Sequence, residues 1–180
     1  MLKFIPNLLT VSRIVLAFIF IPVFLSNNFE WACVVFVLAS ISDFLDGYIA
    51  RKFQVVSSMG AMLDPIADKV LVGISYLCFA YQGIVSYYLA FVVVFRDLFI
   101  ISVVAVCLIK KVGLKISPLM SSKINTTVQL IFVVLVLTCK VFAINLSLGI
   151  FEWIVLLMTV YSGVDYVIKY RWIKNEICLQ

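Results

Sequence analysis

The chain has 180 residues, of which 65% are hydrophobic and 13% charged, with a formal net charge of +5; a soluble domain usually carries roughly 45–50% and about 25%. That excess cannot be hidden in a water-soluble core of this length, so the composition excludes a soluble fold and points to an all-α polytopic membrane protein of about six spans, at roughly 20 residues per crossing. No histidine is present, which removes the usual zinc chemistry and a histidine general base.

Taken in chain order, the first predicted span covers Asn7–Leu25, with Asn7, Thr10 and Arg13 on its first turns. Lys3 precedes it, Arg13 interrupts it and no small-residue cleavage site follows Leu25, so a cleaved signal peptide is not expected. The second span, Glu30–Ile49, carries Asp43, Asp46 and Gly47, and the connection Ala50–Gly60 holds Arg51 and Lys52. The third, Ala61–Tyr81, carries Asp64, Asp68 and Lys69, and Gln82–Gly83 leads to a fourth, Ile84–Leu108, with Arg96 and Asp97 inside it. After Lys110, Lys111 and Lys115 come the fifth span, Ser117–Cys139 with Lys123, the connection Lys140–Asn145, and a sixth span, Leu146–Ile168. Residues 1–180 read as one membrane domain without internal repeats.

Lys and Arg fall before the first span, in the second and fourth connections and after the last span, whereas the alternate connections hold only Lys140. The positive-inside rule then puts both termini and the even-numbered connections in the cytoplasm, in a bacterial inner membrane or an equivalent one. Trp31 and Trp172 near span ends fit interfacial positions. Basic residues beside apolar runs indicate anionic lipid headgroups as partners, with no nucleic acid. The five cysteines, Cys33, Cys78, Cys107, Cys139 and Cys178, are scattered, four of them inside apolar segments, and read as small packing residues.

Four carboxylates in neighbouring spans are the energetic anomaly. Residues three or four apart share a helix face, so Asp43 pairs with Asp46 and Asp64 with Asp68, both pairs on the cytoplasmic half. An ionised side chain in the bilayer costs a few kcal/mol even on the lenient insertion scale, and Arg51 and Lys69 are too few to offset four. Two divalent cations would do so, and an all-oxygen donor set favours magnesium or manganese, with calcium also compatible. Structural ion pairs, or a proton or cation path, are the alternative. Gly47, Ala50 and Gly60 are small enough for close approach of a ligand to the backbone, and the Arg51 guanidinium suits phosphate; each read alone also fits helix packing, a turn or a topology charge.

Together these residues form D-x2-D-G-x2-A-R-x8-G-x3-D-x3-D within SDFLDGYIARKFQVVSSMGAMLDPIADK, which resembles the defining motif of the CDP-alcohol phosphatidyltransferase family at every fixed position. IPNLLTVSRI in the first span and SKINTTVQL in the fifth resemble family segments as well. The resemblance implies a six-helix, homodimeric membrane enzyme that transfers a phosphatidyl or similar group from a CDP-linked donor to a hydroxyl and releases CMP. It implies that Asp43, Asp46, Asp64 and Asp68 hold two metals, that Asp68 also serves as catalytic base, and that Asp43, Gly47, Ala50, Arg51 and Gly60 line the CDP pocket. An aspartate among carboxylates can have its pKa raised, although bound metals oppose that shift.

Basic residues at membrane depth outside the motif, Arg96, Lys123 and, more weakly, Arg13, mark an acceptor pocket. For Arg96 the alternative is an ion pair with Asp97 or snorkelling, and for Lys123 a topology charge. FRDLFIISVV and SKINTTVQLIFVV resemble the fourth and fifth helices of cardiolipin synthases, which implies CDP-diacylglycerol as donor and phosphatidylglycerol as acceptor. Glycerol 3-phosphate is the alternative acceptor; the resemblance disfavours it, since family members that use it often carry further basic residues along the fourth span and Phe99–Leu108 has none. The non-enzyme alternative, a cation or proton transporter, predicts midplane charges and repeated or broken helices.

Overall fold

A computed structural model describes the backbone of residues 5–53, 58–109 and 120–177, and the side chains of residues 11–42, 69–103 and 120–169. The described residues form six helices and no strand: α1 (Ile5–Leu25), α2 (Phe29–Phe53), α3 (Ser58–Tyr81), α4 (Tyr87–Ile109), α5 (Met120–Val141) and α6 (Gly149–Ile177). Two helical stretches, Met120–Val141 and Gly149–Lys169, are long and apolar enough among the described residues to cross a bilayer, and Val11–Leu25, Phe29–Ser42 and Lys69–Tyr81 are shorter apolar stretches.

The helices overrun the hydropathy boundaries where polar residues are good helix formers. α2 continues past Ile49 through Arg51, Lys52 and Phe53, and α3 begins at Ser58, so Gly60 lies in the first turn of α3 rather than in a connection. α6 likewise runs to Ile177, through a stretch rich in Lys and Arg. A polar side chain ends a span in the hydropathy sense without ending the backbone hydrogen-bond ladder. α4 starts later than expected, at Tyr87, because Ser86 caps it: the Leu89 amide donates to Ser86 Oγ.

Three connections gather at one end of the bundle. Gln82 Nε2 donates to Phe24 O and Asn27 Oδ1, the Ser86 amide donates to Glu152 Oε2 at the start of α6, and Lys140 Nζ stands 5.7 Å from the centre of the Phe29 ring. α1 and α3 therefore run parallel, with α2 antiparallel to both. Exposed Trp31, Tyr81, Tyr87, Tyr88 and Trp153 ring this end, where amphipathic rings prefer a membrane surface.

α1 packs along both α2 and α3, which meet each other only narrowly. Arg13, Ala17, Phe20 and Phe24 make its buried stripe, spaced three or four residues apart. An aromatic column runs inward from it: Phe20 stacks on Phe24, Phe24 tilts against Phe79 at 5.1 Å, and Tyr76 stacks on Phe132 at 5.9 Å. This column ties α1 through α3 to α5. Phe18, Val34, Phe91, Phe95, Ile131 and Trp153 are among many large apolar side chains that face outward, far more than a water-facing surface tolerates in contiguous patches. Cys33, Cys78 and Cys139 are unpaired and half-buried or buried, as expected of packing residues; Cys107 and Cys178 lie outside the described side chains.

Candidate active site

Asp43, Asp46, Gly47, Ala50 and Arg51 lie on α2, and Gly60, Asp64 and Asp68 on α3; the side chains of all eight lie outside the described residues. Both segments belong to the end of the bundle opposite the aromatic ring, flanking the connection 54–57. Among the described residues no group of three or more metal-ligating side chains occurs. The chemistry of the donor set on α2 and α3, four carboxylates in a chain without histidine, fits hard divalent cations.

One residue beyond Asp68, the described structure opens onto a buried ionic knot. Lys69 Nζ lies 3.2 Å from Asp97 Oδ1 and donates to Thr126 Oγ1 at 2.9 Å. Arg96 Nη1 donates to the same Asp97 Oδ1 at 2.7 Å, while Nη2 donates to Ser122 Oγ at 2.9 Å and to Ser162 Oγ at 2.6 Å. Lys69 therefore reaches α4 and α5; the side chains of the aspartates whose charge it is expected to offset in part lie outside the described residues. α3, α4, α5 and α6 are held together at this level by two cations sharing one carboxylate oxygen.

A ladder of neutral polar groups continues inward from the knot. Thr159 Oγ1 accepts from Gln129 Nε2 and donates to Asn125 Oδ1, and Tyr76 Oη donates to the Gln129 carbonyl. Ser121 Oγ donates to Asp165 Oδ2 beside it. Arg96 Nε, Asp97 Oδ2, Asn125 Nδ2 and Gln129 Oε1 are buried without a hydrogen-bond partner among the described residues. The sequence points to Arg96, Asp97 and Lys69 but not to the neutral groups on α5 and α6. The available signal was the three-to-four-residue spacing of Ser122, Asn125, Thr126 and Gln129 on α5 and of Thr159, Ser162 and Asp165 on α6, which puts each set on one inward face.

The three proposed acceptor residues lie on three different helices, α1, α4 and α5. Arg96 is buried in the knot, Arg13 is fully buried on α1, and Lys123 lies on the exposed face of α5 beside Ile124. The ion pair of Arg96 with Asp97, weighed as the alternative reading of this arginine, is present.

A family model described as CDP-alcohol phosphatidyltransferase matches residues 3–163. The chain is 33% identical over 172 residues to the CDP-diacylglycerol--glycerol-3-phosphate 3-phosphatidyltransferase of Rickettsia typhi, covering 92% of this chain and 96% of that relative. It is 35% identical over 154 residues to the cardiolipin synthase (CMP-forming) of Rattus norvegicus, covering 77% of this chain and 51% of that relative. The human cardiolipin synthase (CMP-forming) matches at 33% with the same coverage.

Proposed function

From the premise that the chain belongs to the CDP-alcohol phosphatidyltransferase family, we propose that it transfers the phosphatidyl group of CDP-diacylglycerol to a glycerol-type hydroxyl and releases CMP. The observation that carries this reading is the placement of the complete eight-residue motif on α2 and α3, with Asp68 followed directly by Lys69, which pairs with Asp97 beside the buried Arg96. All six helices span the bilayer as one membrane domain, both termini and the site face the cytoplasm, and the enzyme works as a homodimer.

Asp43, Asp46, Asp64 and Asp68 would hold two magnesium or manganese ions, which when bound neutralise the diphosphate and the departing CMP phosphate. Gly47, Ala50 and Gly60 leave room for the cytidine phosphate against the backbone, and Arg51 grips its oxygens. The acceptor oxygen attacks the phosphatidyl phosphorus, a new P–O bond forms as the anhydride P–O bond to CMP breaks, and Asp68 takes the hydroxyl proton. Asp68→Asn removes the proton acceptor while keeping shape; turnover should fall about 100-fold or more with CMP binding retained. Near-wild-type turnover would remove Asp68 from the base role.

Arg96, Lys123 and Arg13 are assigned to the acceptor side. Arg96 and Lys69 share the Asp97 carboxylate, so this cluster keeps one net positive charge. That suits a phosphodiester of one negative charge better than a phosphomonoester of nearly two, and favours phosphatidylglycerol, which would make the enzyme a cardiolipin synthase. Glycerol 3-phosphate is the second reading, favoured by the near full-length match to relatives named for that acceptor.

The test supplies purified protein with magnesium and labelled CDP-diacylglycerol, and adds phosphatidylglycerol or glycerol 3-phosphate in turn. Cardiolipin and CMP should form with the first. A product only with glycerol 3-phosphate would reverse the acceptor assignment, and no CMP release with any alcohol acceptor would overturn the transferase reading.

A further inference from the structure

The ionic knot is costly unless it has a task, because desolvating three charges between apolar helices is repaid only by close, fully bonded geometry. Its geometry is close but incompletely bonded. Asp97 Oδ1 takes both Arg96 Nη1 at 2.7 Å and Lys69 Nζ at 3.2 Å, while Asp97 Oδ2 has no partner among the described residues. Arg96 and Asp97 are consecutive on α4, so their side chains leave the helix about 100° apart, and the arginine must curl back to reach its neighbour. Its other nitrogen is pinned from both sides by Ser122 of α5 and Ser162 of α6. The guanidinium is thus fixed in one orientation by three helices, and among the described residues it is Asp97 that links it to α3, the helix that carries Asp64 and Asp68.

We propose that Asp97 is a positioning residue, whose shared carboxylate oxygen holds the acceptor-side Arg96 in register with the aspartate-bearing helix through Lys69. This rests on the proposed phosphatidyl transfer. Asp97 itself does not touch the substrate; it sets where Arg96 stands relative to the reacting phosphorus. Neutralising it releases two like charges that were held against a common anion, so Arg96 loses its tie to α3 and keeps only Ser122 and Ser162. Donor binding, assigned to the small residues and Arg51 across α2 and α3, does not pass through this contact.

The experiment measures initial rates of CMP release in detergent with magnesium, varying acceptor at saturating CDP-diacylglycerol and then the reverse. Asp97→Asn should raise the acceptor KM about tenfold, equivalent to one lost charge-assisted contact, and leave the CDP-diacylglycerol KM within about twofold. Asp97→Glu, which keeps the charge, should recover most of the loss. In an Arg96→Gln background, Asp97→Asn should add nothing, since the residue acts through the arginine. An unchanged acceptor KM, equal increases in both KM values, or full additivity with Arg96→Gln would each overturn the positioning role. Should Asp97→Asn fail to fold, Lys69→Gln cuts the same bridge at its α3 end; it should raise the acceptor KM alone, and an unchanged value would overturn the proposal equally. Wild-type protein that releases no CMP with any acceptor would refute the transfer reading and this role with it. An active wild type whose Asp97→Asn kinetics match it would refute this role only.

Discussion

Asn27, Gly83 and Ala143 each take a left-handed backbone conformation where a helix ends, with φ of 60°, 68° and 51°. At Gly83 the Ile84 amide reaches Phe79 O at 2.9 Å, and at Ala143 the Ile144 amide reaches Cys139 O at 2.8 Å, the paired closure of a helix end that glycine favours. Alanine pays a steric penalty there of roughly 1 kcal/mol. Ala143→Gly should therefore stabilise the protein by up to about 1 kcal/mol, part of the gain being lost to the freer unfolded chain. Gly83→Ala should cost about 1 kcal/mol, and since nothing lies within 4 Å of the added methyl, the effect isolates the backbone. Thermal unfolding in detergent measures both; a destabilised Ala143→Gly protein would contradict the assignment. Gly83 announced its turn in the sequence. Ala143 did not, because no local pattern marks an alanine held in a glycine conformation by its neighbours.

At the scale of the helix, α5 and α6 show what periodicity conveys and what it leaves out. Their polar residues recur every three or four positions, which is legible, but the pairing of Thr159 with both Asn125 and Gln129 spans some thirty residues and has no local signature. The same holds for Lys69, whose neighbour in sequence is Asp68 while its partners in the structure are Asp97 and Thr126. The helices that carry the motif aspartates, in contrast, are legible from the apolar runs around them. Thr159→Val keeps the volume and removes the hydroxyl that both amides use. Membrane hydrogen bonds average about 0.6 kcal/mol, and a stranded buried amide costs more, so a loss of about 1–2 kcal/mol is expected from thermal or denaturant unfolding. A Thr159→Ser variant keeps the hydroxyl and should lose clearly less. Equal losses for the two would mean that packing, not the hydroxyl, is what α5 and α6 share at this position.

Over the whole molecule, charge and aromatic side chains divide the bundle into two unlike ends. The end that gathers the connections 26–28, 82–86 and 142–148 has exposed Trp31, Tyr81, Tyr87, Tyr88 and Trp153, and its basic residue is Lys140. The opposite end has Arg51 and Lys52 near the end of α2 and Lys169, Arg171 and Lys174 near the end of α6, and Lys110, Lys111 and Lys115 follow α4 in the sequence. The alternation of basic connections was readable, but that α1 lies between α2 and α3 was not, because it depends on the aromatic column from Phe20 through Phe79 to Phe132 rather than on chain order. A net bias of this size orients short-looped membrane proteins with the basic end inward. In a cysteine-free variant, Asn27→Cys and Asn145→Cys should react with an impermeant maleimide added to intact cells, whereas Ser57→Cys should react only after the membrane is opened. The opposite pattern would place the aspartates and the Lys69, Arg96 and Asp97 knot on the outer side, away from cytoplasmic CDP-diacylglycerol, and would defeat the orientation on which the proposed transfer depends. Adding lysines to the connection 142–148 offers the complementary test, since a weakened bias should produce a mixed population in the same labelling assay, with transferase activity falling in proportion to the inverted fraction.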